Sequence, residues 1–163
     1  MDRELLQHAF QFVTNRGFVS VEPEASLQWN GTQVSFNGPG LRIEASHNDR
    51  DGFDCSLVFL SDPGASVSVG TLMAALSRDE AASARSSREA LGEQAQFIEG
   101  HLDKLMGLPS DLLDDCRALR FYHAAPWRKD WGRAIQMDAE AIHAEVRRLE
   151  RLRNYFIDNR RAA

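Results

Sequence analysis

The chain has 163 residues, 43% of them hydrophobic and 26% charged, with a formal net charge of −5. At ~100 to 200 residues per domain that length corresponds to one domain, and the apolar balance excludes a globally disordered chain. No run approaches the ~18 apolar residues of a membrane span, and the acidic total disfavours nucleic acid, whose phosphates call for a broad positive field.

The charge is unevenly placed. Residues 1–83 hold five Arg against eleven Asp and Glu, whereas 84–163 hold fourteen Lys and Arg against thirteen acids. Met1, Asp2, Arg3 and Glu4 put charge where a secretory signal needs an apolar core, which predicts a cytoplasmic protein. Cys55 and Cys116 are too few and too far apart for a disulfide framework or a paired-Cys zinc site, and both read as buried free thiols. Asn30-Gly31-Thr32 fits a glycosylation sequon, but its better use is a turn.

In chain order, Leu5, Leu6, Ala9, Phe10 and Val13 lie at helical steps over residues 2–16, and Gly17 is the stop. Residues 18–22 can form a strand ended by Pro23. From residue 25 to 60 the apolar period becomes two, which predicts a four-stranded antiparallel meander. A turn at Asn30-Gly31 sets Leu27 opposite Val34 and Ala25 opposite Phe36. A turn over residues 37–40 sets Phe36 opposite Leu41 and Val34 opposite Ile43. A turn over 48–52 sets Ala45 opposite Cys55, Ile43 opposite Leu57 and Leu41 opposite Phe59. All these partners share one face, while Ser26, Gln28, Gln33, Ser35, Arg42, Glu44, Ser46, Asp54 and Ser56 share the other, with Val58 and Leu60 as apolar exceptions.

Ser68 can cap a short helix through Leu72, Met73 and Leu76, and residues 78–85 read as a flexible connection or a weak helix. Ser86 and Glu89 match a capping box, followed by the stripe Leu91, Ala95, Ile98, Leu102 and Leu105, which ends at Gly107. Gly92 and Gly100 inside that helix predict close approach of another backbone, or a break. Pro109 and Ser110 open a further helix with Leu112, Cys116 and Leu119 inward. Ile135, Ala139, Ile142, Val146, Leu149, Leu152 and Phe156 mark the final helix, with Glu145 and Glu150 on its charged outer face.

The expected fold is therefore a single α+β domain over 1–163: an N-terminal helix, an antiparallel β-meander of four to five strands and a short helix in 1–83. The helices of 84–163 pack on one face of that sheet.

No catalytic motif emerges. His47, Asn48, Asp49, Asp51 and Asp54 form the densest polar cluster, but their spacing matches no calcium loop and suits a solvated hairpin tip. Glu140 and His143 have the spacing of one half of a di-iron pair, with no second copy. Neither the Gly64 to Ser68 stretch nor Gly38-Pro39-Gly40 completes a nucleophile elbow or a phosphate loop. No metal site, cofactor or catalytic residue is expected. Trp127, Arg128, Lys129 and Trp131 combine aromatics with positive charge; core packing, a protein interface and single-stranded nucleic acid are the three uses open to them.

The stretch Leu5 to Val13 with Gly17-Phe18, the meander through Leu41 to Glu44 and Leu57 to Leu60, and Leu72 to Leu76 together resemble small cytoplasmic immunity proteins of bacterial polymorphic and contact-dependent toxin systems. The likeness covers about half the chain and carries over no functional residue. It implies a non-enzymatic protein-binding module that neutralises a basic toxin domain by direct binding, which suits an acidic sheet-bearing half. The candidate partner-binding residues are Glu44, Asp49, Asp51, Asp54, Trp127 and Trp131. The alternative is a small enzyme or ligand-binding domain with a pocket between sheet and helices near residues 47–54. A homo-oligomer through the final helix, where Tyr155 and Phe156 close the stripe, is a third.

Overall fold

The computed structural model describes residues 3–22, 31–49, 52–77, 88–119 and 139–157. Two short helices, α1 (Arg3–Ala9) and α2 (Gln11–Thr14), precede strands β1 (Val19–Val21), β2 (Gly31–Asn37), β3 (Leu41–Asn48), β4 (Gly52–Phe59) and β5 (Val67–Ser68). Helices α3 (Val69–Ser77), α4 (Arg88–Met106), α5 (Ser110–Ala118) and α6 (Ala139–Phe156) follow. The fold is α+β, with a five-stranded antiparallel sheet in the order β1-β2-β3-β4-β5.

The first helix differs from its sequence pattern. Phe10 leaves the helical region (φ −108°, ψ 15°) and splits the expected element into α1 and α2. No Gly or Pro marks this break. The Phe10 ring is fully buried with its centroid 6.0 Å from that of Phe36, so tertiary packing against β2 outweighs helix continuity. The end at Gly17 follows local chemistry. The Phe18 N–H donates to the Val13 carbonyl and the Gly17 N–H to that of Thr14, a Schellman closure that Gly17 permits with φ +85°.

The sheet obeys the apolar-face rule and departs from two of the three expected pairings. Leu41, Ile43 and Ala45 face Phe59, Leu57 and Cys55, as their alternation requires. Between β2 and β3, however, Phe36 pairs with Ile43 and Val34 with Ala45, a shift of two residues from the expected register. The cause is the geometry of the corner: Gly40 has φ +74°, and the Gly38 N–H donates to the Leu41 carbonyl at 2.9 Å across Pro39-Gly40. A two-residue shift preserves facing, so the buried set is unchanged.

At the other edge of β2, Phe36 pairs with Ser20 of β1 rather than with Ala25. The strand over 18–22 takes that position. The expected strand of residues 25–29, with Leu27, and the turn residue Asn30 lie outside the described residues.

Val34, Phe36, Leu41, Ile43, Ala45, Cys55, Leu57 and Phe59 are buried on one face, under α1, α3 and α4. Fully burying a Val, Leu, Ile or Phe side chain contributes about 1.5–3 kcal/mol, which fixes the layer order. The core continues through Leu91, Ile98, Leu102 and Leu105 of α4 to Leu112, Cys116 and Leu119 and to Leu149, Leu152 and Phe156 of α6.

Helix α6 packs on α3 and α5 and meets α4 at its C-terminal end. Its rotation corrects the expected stripe: Val146 is 42% exposed, while Glu145 is only 8% exposed and accepts a 2.9 Å bond from Arg148. The stripe is anchored by Leu149, Leu152 and Phe156, and the helix turns a charged, partnered side chain inward at its first half. In α4, Gly92 and Gly100 neither break the helix nor meet a neighbouring backbone. Both are exposed, and among the described residues nothing beyond their own helix backbone lies within 4 Å of the point where a Cβ would stand.

Candidate functional site

Strand register builds the second face of the sheet in rows. Val21, Ser35, Glu44, Ser56 and Ser68 stand side by side across all five strands. One row along lie Val19, Asn37, Arg42 and Val58, and on the opposite side Gln33, Ser46 and Asp54. Successive side chains alternate faces, so burying the apolar set turns this mostly polar set to the reverse, where Ser35 and Val58 are themselves buried.

The face is concave at its β1 end. A hollow of about 380 Å³ is lined by Glu22, Gln33, Ser35, Asn37, Arg42 and Glu44, with Val21 at its edge. Arg3 of α1 reaches Glu22, with Nη2 2.6 Å from Oε1. Arg42 Nε lies 2.7 Å from Glu44 Oε1 in an ion pair, and this nitrogen is buried and makes no hydrogen bond. Arg3 Nε is a second buried donor without one. Orphaned buried N–H groups are uncommon in folded proteins, and both of these belong to arginines paired with carboxylates of the hollow.

The sequence-derived candidates divide as follows. Glu44 lines the hollow. Asp54 lies on the same face, exposed, and accepts a 3.4 Å bond from the Ser68 hydroxyl. That contact uses the oxygen expected to cap α3. Asp49 is exposed beyond the polar rows, at the β3–β4 hairpin. Asp51, Trp127 and Trp131 lie outside the described residues. Glu22 and Asn37 join the site without standing among the sequence candidates; the two-residue period of β2 and the strand over 18–22 hold the signal for both.

Two members of the hairpin cluster, His47 and Asp54, lie on opposite faces. His47 pairs with buried Phe53 on the helix-covered face, whereas Asp54, in the row of Ser46 and Gln33, stands on the opposite face. An imidazole and a carboxylate separated by the sheet cannot share a proton or a ligand. Among the described residues, no group of three or more His, Cys, Asp or Glu could hold a metal ion. Glu140 and His143 are both exposed on α6, and His101 is stacked on Phe97 at 4.5 Å.

The two thiols are held protonated. Burial pushes Cys55 well above its ordinary value, with the Asp54 and Glu44 charges adding to the effect. Burial, then the Asp115 charge, raises Cys116 to about 12. A thiol without accessible thiolate is a poor nucleophile, so both act as packing residues.

No family model, curated protein or solved structure matches this chain. Among the described residues, no helix is long and apolar enough to cross a membrane.

Proposed function

We propose that this chain is a non-enzymatic protein-binding module that captures a basic protein partner across the polar face of its sheet. The observation that carries this reading is the asymmetry of the sheet: helices roof one face, while the other presents a hollow bearing Glu22 and Glu44, with Asp54 farther along. Such a face offers electrostatic steering toward a cationic surface, and the surplus of acids in residues 1–83 extends that field. The separation of His47 from Asp54 by the sheet, and the protonated state of both thiols, favour binding over catalysis.

The biological setting we propose is cytoplasmic immunity, in which the partner is a basic toxin domain and binding occludes its active surface. The experiment is co-expression with the product of the neighbouring reading frame. Protection of the host cell and a stable complex of the two purified proteins support the proposal. A harmless neighbour, or a toxic one that neither binds this chain nor is neutralised by it, contradicts it.

A further inference from the structure

Of the six asparagines, only Asn30 and Asn37 precede a glycine, the residue with no side chain to shield its peptide nitrogen. Asn37 is exposed at the end of β2 and lines the hollow. The glycine after it is fixed by packing: a Cβ on Gly38 would stand 2.4 Å from the ring of buried Phe18. Tertiary structure therefore retains an Asn-Gly dipeptide at the edge of the polar sheet face, where a bulkier successor would suppress its chemistry.

We propose that Asn37 is a modification site, at which the chain deamidates spontaneously when the β2–β3 corner opens. The deprotonated Gly38 nitrogen attacks Asn37 Cγ and forms a cyclic succinimide, and the side-chain nitrogen leaves as ammonia. Water then adds to one of the two ring carbonyls, and breaking the bond from that carbon to the ring nitrogen yields aspartate or isoaspartate. Hydroxide takes the Gly38 proton, so the rate rises with pH. Two features hold the folded chain back. The Gly38 N–H donates to the Leu41 carbonyl at 2.9 Å, and Asn37 is paired on both sides, with Val19 of β1 and Arg42 of β3. Deprotonation requires the first to break, and cyclisation requires the backbone to leave both ladders. Reaction therefore passes through local opening at a strand end, where such opening costs least.

Either product alters the hollow. Aspartate at position 37 adds a carboxylate to the wall that already carries Glu22 and Glu44, and isoaspartate reroutes the backbone through Cβ where β2 pairs with both neighbours. The proposal stands apart from what the sheet face captures.

The test is incubation of the purified full-length protein at mildly alkaline pH, followed by proteolysis and tandem mass spectrometry that reads Asn37 separately from Asn30. The folded protein should convert Asn37 about ten- to a hundredfold more slowly than the urea-unfolded chain. Gly40→Ala, which forces alanine to φ +74° at the corner, should speed the folded reaction at least about threefold. If that variant fails to fold, sub-denaturing urea takes its place, and the Asn37 rate should climb before circular dichroism reports unfolding. Asn37 left intact after about a hundred half-times of the unfolded chain overturns the modification site. A folded rate equal to the unfolded one, or one that the variant or urea leaves unchanged, overturns its control by the corner.

Discussion

Lys104 and Tyr155 close each other's helices. The Lys104 ammonium donates to the Phe156 carbonyl at the end of α6 (3.0 Å), and the Tyr155 hydroxyl donates to the Lys104 carbonyl in the last turn of α4 (2.8 Å). Both helix ends leave carbonyls without intrahelical partners, and each helix supplies the other's donor. Tyr155→Phe should cost about 1 kcal/mol, and pairing it with Lys104→Met should give a non-additive double-mutant cycle in urea denaturation. Phe156 is buried within the chain and the Tyr155 hydroxyl is engaged, so both residues contribute to the intramolecular α4–α6 contact.

Asp115 is 3% exposed and binds Arg151 through two bonds, Nε to Oδ2 at 2.8 Å and Nη2 to Oδ1 at 2.6 Å. Removing the guanidinium strands a buried carboxylate. Arg151→Met should therefore cost about 2–3 kcal/mol, a figure below the fully buried range because the Arg151 side chain is half exposed. Asp115→Asn with Arg151→Met should lose less than the sum of the single changes, read from chemical denaturation of the four proteins.

Gly92 and Gly100 are exposed inside an unbroken helix, with no neighbour among the described residues where a Cβ would stand. Alanine at either position should stabilise by about 0.5–1 kcal/mol, through helix propensity and a less disordered unfolded chain. Each change should raise Tm by about 2–4 °C, and the pair should be additive. A loss of stability at either site would place a neighbour against that face of α4.

Stability should fall above pH 9. Cys55 and Cys116 have folded pKa values raised by burial, so the unfolded thiols ionise first as pH climbs past their ordinary value of 9.0. The stabilisation they provide is complete below that value and is lost as pH rises toward the folded pKa, about 12 for Cys116. The slope should approach ~1.4 kcal/mol per pH unit per thiol, and thiolate absorbance should appear together with unfolding. Thiolate signal in the folded protein at pH 9 would contradict the burial of both groups.

How far the sequence prefigures this molecule depends on whether a feature is periodic or long-range. The β3–β4 register follows from alternation together with the turn over 48–52: alternation forbids a slip by one, which would break the shared face of Ile43 and Leu57, and the turn sets which residues meet. The β2–β3 register differs by two from the sequence expectation because the chain turns at Pro39-Gly40, and alternation cannot distinguish shifts of two. The break at Phe10 and the pairing of Asp115 with Arg151 depend on elements distant in sequence, so no local signal announces them. The site is intermediate: Glu44 and Asp54 are legible from parity, whereas the hollow needs β1 beside β2, a pairing fixed by three-dimensional packing.

The capture surface is tested most directly by measuring affinity for the product of the neighbouring reading frame by calorimetry. The wild-type chain is compared with Glu22→Gln/Glu44→Gln/Asp54→Asn, after circular dichroism establishes that both are folded. Capture on the acidic sheet face predicts that the triple variant binds at least about a hundredfold more weakly, with a reduced salt dependence. Equal affinity in a folded triple variant would show that the partner, if bound, is held by some other surface.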